Sequence, residues 1–424
     1  MSTNFCVQPF GRVLLVPDMP TISSIKALKV LNSRGDWTIK TTLELSDGST
    51  GWAIVPEGAS KGELEAICLP ADQSVDLLQG KLSKALVGKS FVTVSELDKF
   101  LIDIDGTENK HVLGGNTILA LSVAFTRAHA RSQKLDDWEY LANLAKSIGI
   151  SVDRKSAITP LFNILNRGKH AQNDLSFQEF MLIPARNYTM EECVEVGVKV
   201  YKSLRNRLQR DGFSTGVGDE GGFAPLNFTV KKALTYITEC ASEHYKVGED
   251  VFLGMDVAAG SFYRDGYYVL PEEHLKLTSE QFERYLLDLM RQFKLIYLED
   301  PFHEQDVNWW RKAVDDFGSR VMLSADDLVV TNPQILTGAI KQKLANTVIV
   351  KPNQIGTVSE TLDFVNLARR AGWNVVGSHR SGDTEDPFIA DLAFALGADF
   401  VKFGAPSRGE RTSKFNRLLE LYSS

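Results

Sequence analysis

After Ala157 short apolar runs alternate with helical segments, and each run stops at or beside an ionisable residue. The runs read VFLGMD, LIYLED, VMLSAD, NTVIVK, NVVGSH and FVKFG. Between them lie SEQFERYLLDLMRQF, VNWWRKAVDDF, PQILTGAIKQKL, VSETLDFVNLARRAG and DPFIADLAFALG. Unbroken apolar strands suit a sheet buried on both faces, and helices spaced between them supply the cover of a parallel sheet. This many units in step favours closure into a (β/α) barrel; an open doubly wound sheet is the alternative.

The chain before Ala157 follows another pattern. From Ile25, IKALKVLNSRGDWTIKTTLELSDGSTGWAIVP alternates apolar and polar residues around turn signals such as SDGS, which predicts a small antiparallel sheet. The loop PEGASKG follows. From Leu113 to Leu144, Ile118, Leu121, Phe125 and Ala128 recur at helical spacing, so helices should pack on that sheet. We therefore expect a leader over residues 1–21, an α+β domain over 22–152 and the barrel over 153–424.

With 424 residues the chain is long enough for two cores, and 43% hydrophobic with 24% charged residues excludes the disordered and fibrous classes. A net charge of -7 argues against a nucleic-acid footprint, though an acidic protein can hold a cationic pocket. Cys6, Cys68, Cys193 and Cys240 are scattered without metal-ligand spacing, as expected for free thiols in a reducing compartment. The first residues lack the apolar run of a signal peptide, and no window approaches a membrane span. A cytoplasmic enzyme is expected, with no membrane or nucleic-acid partner.

The ionisable residues at the run ends are Asp256, Glu299, Asp326, Lys351, His379 and Lys402. In a parallel barrel the C-terminal strand ends share one face, so these residues would converge on one cavity. The plainer reading is that strands end where they reach water; repetition over six units weighs against it. Asp256, Glu299 and Asp326 form an all-oxygen set that suits Mg²⁺ better than zinc or copper. A lysine can act as a base only if burial or neighbouring positive charge lowers its pKa, whereas lysine–carboxylate salt bridges are the structural alternative. Lysine beside Mg²⁺ suggests abstraction of a proton next to a carboxylate. In GVGDEGGFAP, Asp219 and Glu220 sit in a glycine-rich turn, and Glu220 could be the opposing acid. SHRSGDTED sets His379, Arg380 and Ser381 in a row able to hold a phosphate.

The motifs NSRGDWT, PEGASKGELEA, DGTENK, FQEFMLIP, GVGDEGGFAP, LGMDVAA, LEDPF, ADDLVVTNP, VKPNQIGT, SHRSGDTEDPFIADL and VKFGAPSRGER occur in this order. Together they resemble the enolase (phosphopyruvate hydratase) family across residues 22–424. The resemblance implies an α/β fold with a TIM-like (β/α)8 barrel of ββαα(βα)6 type, a smaller N-terminal α+β domain, and a homodimer or higher homo-oligomer. It implies dehydration of 2-phosphoglycerate to phosphoenolpyruvate with two Mg²⁺ per site, the second arriving with substrate. A lysine base with Mg²⁺ is this superfamily's established pairing, so that step applies a known pattern. Carried over by position, Asp256, Glu299 and Asp326 resemble ligands of the first metal and Ser60 one of the second. Lys351 resembles the base, and Glu220 assisted by Glu179 the acid. His170, Arg380 and Ser381 resemble phosphate contacts, Lys402 the partner of the substrate carboxylate, and Gln178 and His379 complete the pocket.

Three loops depart from the family pattern. PEGASK stands where PSGAST is usual, so Glu57 and Lys61 replace a serine and a threonine. NRGKHAQN replaces NGGSHAGN and introduces Arg167 and Lys169, and NSRGDWT replaces DSRGNPT. Loop drift is one account. The other is that added cations accept a further anionic group on a modified phosphorylated or phosphonylated acid of secondary metabolism. A non-catalytic binding or structural homologue is a third reading, disfavoured by the intact Lys351 and Glu220.

Overall fold

The computed structural model describes residues 19–58, 64–152, 157–167 and 175–423. The expected alternation forms an antiparallel sheet of β1 (Ile22–Leu31), β2 (Trp37–Leu45) and β3 (Thr50–Ile54) in that order. Ile22, Ile25, Ile39, Leu43 and Leu45 form its buried side. The helical stretch divides into Gly115–Ser132 and Asp137–Ser147, because Asp136 starts the second helix with a capping box closed by Glu139. Ile118, Leu121, Phe125 and Ala128 are buried as expected, but so is almost every residue from Thr117 to Ala130. The first helix lies between the sheet and the barrel, so it has no solvent face to reveal in its periodicity. Gly51 on β3 shows how close the sheet lies: a Cβ there would collide with the backbone of Ala124 and Ala128 on that helix.

Eight strands close the barrel: β4 (Thr159–Asn166), β5 (Glu179–Pro184) and β6 (Val251–Asp256), then β10–β14. A small sheet intervenes, made of β7 (Tyr263–Arg264), β8 (Tyr267–Leu270) and β9 (Leu275–Leu277). The closing strands are β10 (Leu295–Glu299), β11 (Met322–Ala325), β12 (Thr347–Val350), β13 (Asn374–Ser378) and β14 (Phe400–Gly404). Around the ring the order is β4, β5, β6, β10, β11, β12, β13, β14 and back to β4. Strand β5 runs antiparallel to both neighbours and is followed by helices Met190–Arg210 and Val230–Ser242 before β6. This is the ββαα(βα)6 arrangement. Leu161, Met181, Ile183, Tyr297, Ile349, Val376 and Phe400 form a separate buried cluster drawn from six of the strands. These side chains fill the barrel, so it is a packed plug below the mouth and not a pore.

The small domain reaches the mouth through Glu57, whose backbone pairs with Gly382 (N–O 2.8 and 2.9 Å). Residues 153–156 at the expected domain hand-over, and residues 1–18 of the expected leader, lie outside the described residues. Cys68, Cys193 and Cys240 are free thiols, and burial pushes Cys193 up to about 12. Among the described residues no helix is long and apolar enough to cross a membrane.

Candidate active site

Strand register sets the level of the charged residues. Glu179 pairs with Asp256, and Asp256 with Glu299, so carboxylates on β5, β6 and β10 stand side by side. Glu179 is the first residue of its strand, but β5 runs backwards, so its beginning lies where its neighbours end. Asp326 and Lys351 follow β11 and β12 by one residue, His379 follows β13, and Lys402 lies within β14 opposite Ser378. Asp256, Glu299 and Asp326 thus occupy one arc of the mouth. His379 and Lys402 occupy the arc across from it. Strands β5 and β12 are four apart either way around the ring, so Glu179 and Lys351 project from opposite walls.

Lys402 Nζ donates to Asp256 Oδ2 at 3.0 Å and to Glu299 Oε1 and Oε2 at 2.8 and 2.9 Å. It also lies 3.0 Å from Glu179 Oε1, off the hydrogen-bonding direction, and neither Glu179 oxygen makes a hydrogen bond among the described residues. Lys351 Nζ is paired with Asp326 Oδ2, whose other oxygen accepts from Gln354 Nε2 at 2.9 Å. Thr331 links the two by donating to Gln354 Oε1 (2.6 Å) and accepting from Lys351 N (3.0 Å). Behind them Asp300 accepts from the backbone of Asp326 and Asp327, both at 2.9 Å.

On the cationic side, Arg380 makes a two-pronged pair with Glu65 at 3.0 and 3.1 Å and donates to Asn353 Oδ1 at 3.1 Å. His379 is 2% exposed, with Nδ1 2.7 Å from Arg411 Nη1. Glu220 is held by Asn163 Nδ2 at 2.9 Å. Glu65, Glu220, His379 and Arg380, with Gln178, Glu179, Asp256, Asp326, Lys351, Ser381 and Lys402, line an inner cavity of ≈40 Å³. An outer chamber of ≈400 Å³ shares Gln178, Glu220, Asp327 and Ser381 with it and adds Arg167, Asp219 and Glu304. Arg167 reaches Ser261 Oγ at 3.2 Å. Ser60, Lys61, Lys169 and His170, to which the resemblance gives roles or which alter the loops, lie outside the described residues.

Burial pushes the Glu299 carboxyl up to about 7, and repulsion from Asp256 adds to it. Burial and then Glu220 raise Glu179 well above the usual carboxylate range. Burial also raises Asp256, only partly offset by Lys402. These are carboxylates short of positive charge. One ammonium touching oxygens from β5, β6 and β10 marks the point on which they converge. Buried and all-oxygen, with Asp256 and Glu299 under-compensated and Asp326 held low by Lys351, the set of Asp256, Glu299 and Asp326 fits a hard divalent cation.

At Lys351, without a metal, the salt-bridge alternative holds and the pKa is raised. Burial, the largest influence, pulls it down, as do Arg380 and Lys402, but the surrounding carboxylates, Asp326 foremost and then Glu299, together raise it. Lys402 likewise rises well above its usual value through Asp256, Glu179 and Glu299 against burial. Both lysines are ion-paired, because each carboxylate in a closed buried site takes the nearest cation.

Four positioning residues carried no role in the sequence reading: Glu65, Asn163, Gln354 and Arg411. Three of them lie inside quoted motifs, PEGASKGELEA, VKPNQIGT and VKFGAPSRGER. The motif was the available signal. Their roles depend on contacts between segments well apart in the chain, at the extreme Glu65 and Arg380, separated by 315 positions.

Residues 22–141 match the family profile described as "Enolase, N-terminal domain", and residues 155–423 match "Enolase, C-terminal TIM barrel domain". A protein named enolase from a Nitratiruptor species is 39% identical over 417 residues, which covers 95% of this chain and 96% of that protein. With both domains matched, the barrel of ββαα(βα)6 type and the converging carboxylates at its mouth, the chain belongs to the enolase family.

Proposed function

We propose that this enolase-family hydro-lyase dehydrates 2-phosphoglycerate to phosphoenolpyruvate, with Lys351 as base and Glu220, assisted by Glu179, as acid. The observation that carries this reading is the opposition of Lys351 on the β12 wall to Glu179 on the β5 wall, with Glu220 lining the same cavity. Elimination of water breaks C2–H on one side of the substrate and C3–O on the other, which calls for a base and an acid across a narrow cleft. Lys351 Nζ takes the C2 proton. A protonated carboxyl donates to the departing C3 hydroxyl, which leaves as water. Burial, and then the neighbouring Glu220, raise the Glu179 carboxyl well above its ordinary range, which favours its acid form beside the leaving group.

Asp256, Glu299 and Asp326 would hold one Mg²⁺, and Ser60 would contribute to a second that arrives with substrate. Bound there, the metal supplies positive charge beside the substrate carboxylate where negative charge develops. Lys402 contacts that carboxylate, Arg380, Ser381 and His170 hold the phosphate, and Gln178 and His379 complete the pocket. Were Asp326 to hold the metal, less of its charge would face Lys351, whose burial and nearness to Arg380 and Lys402 favour the neutral amine.

The alternative substrate, a larger phosphorylated or phosphonylated acid, draws support from Arg167 in the outer chamber. Asp219, Glu304 and Asp327 line the same chamber and oppose a further anion, so 2-phosphoglycerate is the reading we adopt. The test is an assay of purified protein with Mg²⁺ and 2-phosphoglycerate, read by the ultraviolet absorbance of the enol phosphate. Product should form, and Lys351→Ala should lower its rate by at least about 10²-fold. Normal Mg²⁺ binding without product would refute the substrate.

A further inference from the structure

Arg411 is wholly buried near the mouth. It sits on helix Gly409–Ser423. Its Nη1 lies 2.7 Å from His379 Nδ1 and donates to Arg380 O at 2.6 Å. Its Nη2 donates to Asp219 O at 2.9 Å and Ser381 O at 2.8 Å. One guanidinium therefore clamps the His379–Ser381 segment to the turn that carries Glu220. A guanidinium can only donate, so His379 Nδ1 must accept, and the imidazole proton is thereby assigned to Nε2. His379 Nε2 is buried and has no hydrogen-bond partner among the described residues. It lines the inner cavity and lies 3.9 Å from Glu220 Oε1.

We propose that Arg411 is a positioning residue that locks His379 as the neutral Nε2–H tautomer, so that His379 serves as a fixed hydrogen-bond donor to a substrate oxygen and not as a proton acceptor. The charges around the ring agree with this. Burial, followed by Arg411, Lys402, Lys351 and Lys414, holds the imidazole well below its ordinary value. Facing it with the opposite sign are Glu220 and Glu179, whose carboxylate oxygens lie within 4.8 Å of a ring nitrogen, and the neighbouring Asp383, itself paired to Arg411 and Lys414. The backbone enforces the same contact. Gly404 has φ +85°, and a Cβ there would collide with Glu220 O at 2.5 Å and crowd His379 Cε1 at 3.0 Å and Arg411 Cδ at 3.1 Å, so glycine leaves this corner open for the ring and guanidinium. An Nε2–H donor that needs no proton from solution keeps one polarity across the working pH range, which a free histidine would not.

The kinetic half of this inference rests on the substrate proposed above; the tautomer half does not. Long-range proton–nitrogen correlation spectra of ¹⁵N-histidine-labelled full-length protein, with His379 assigned through His379→Gln, read the tautomer directly without substrate. His379 should show a protonated Nε2 and a bare Nδ1, unchanged by pH from mildly acidic to mildly basic. A protonated Nδ1 or a cationic ring in the wild type would overturn the proposal, whether or not any variant folds. In Arg411→Met the ring should sample both tautomers, and its protonation should move to higher pH than in the wild type while burial and the three lysines still oppose it. The rate constant kcat for 2-phosphoglycerate should then fall about 10²-fold with an added acidic limb in its pH profile. Arg411→Lys, which keeps a donor, should restore the wild-type tautomer and remove that limb. Loss of activity in Arg411→Met with tautomer and pH profile unaltered would mean that Arg411 only supports the fold, and would refute the positioning role. Failure of the wild type to turn over 2-phosphoglycerate, with the Nε2–H tautomer observed, would count against the substrate alone.

Discussion

Replacing Arg127 by methionine probes what holds the small domain against the barrel. Arg127 is 2% exposed, and its two terminal nitrogens donate to Asp386 Oδ2 and Oδ1 at 2.9 and 2.7 Å. It also donates to Trp52 O at 2.7 Å and to Asp137 Oδ2 at 2.9 Å, with the guanidinium 4.4 Å from the Trp52 ring centre. Asp386 closes the SHRSGDTED segment and accepts from the Ile54 and Phe388 amides at 2.9 and 3.0 Å. Removing one member of a buried ion pair costs about 3–5 kcal/mol, because the other charge stays in a poorly solvated place. The two amide donors to Asp386 soften this, and the orphaned Trp52 carbonyl adds about 1 kcal/mol, so Arg127→Met should lose about 4 kcal/mol. Asp386→Asn alone should lose about 2 kcal/mol, since Asp137 still faces Arg127, and the double variant should lose less than the two single losses summed, about 4 kcal/mol. Urea unfolding followed by tryptophan fluorescence near neutral pH gives the cycle. A loss below about 1 kcal/mol in Arg127→Met, or additivity of the two substitutions within about 0.5 kcal/mol, would show that the pair is uncoupled and the reasoning wrong.

Asp98 is fully buried against the N-terminus of helix Val358–Arg370, where it accepts from Ser359 N at 2.9 Å, and burial raises its pKa from 3.8 to about 6. A carboxyl with a raised folded pKa contributes most when protonated, so stability should fall as pH rises from about 4 to about 6 and level off above, by about 3 kcal/mol in all. Asp98→Asn should flatten that slope and stabilise the protein at neutral pH; an unchanged slope in thermal unfolding would contradict this. Glu65→Gln removes the negative charge paired with Arg380, and a like charge at ~7 Å from a bound anion costs about 2.4 kcal/mol at an effective dielectric of about 20. Inorganic phosphate should then bind up to about 50-fold tighter by calorimetry. Weaker binding would mean that Glu65 acts mainly by holding Arg380 in place.

Much of the fold was legible because its signals are local. Each run such as VFLGMD ends at the strand terminus, so Asp256, Glu299, Asp326, Lys351 and His379 fall at the mouth by simple counting along the chain. Glu179 could not be found that way. The counting rule takes strand ends as site residues, and Glu179 is a strand beginning that the reversal of β5 carries to the same face. It entered through the resemblance instead. The division of the 113–144 stretch escaped the periodicity because a helix buried all round carries no polar stripe, although Asp136 and Glu139 hold its capping signal.

By itself the sequence determined the kinds of group at the mouth and their rough count, since strand length, burial and capping depend on neighbours a few residues away. It could not set which groups face each other. That depends on ring order and strand direction, which closure of the barrel decides through pairings between distant segments. Only the tertiary structure sets Lys351 across from Glu179, gathers Glu179, Asp256 and Glu299 around Lys402, and turns Arg411 onto His379. It also pairs Lys351 with Asp326, 25 residues away in sequence, and without a metal this raises the lysine instead of lowering it, because a pKa responds to charges a few ångströms away in space.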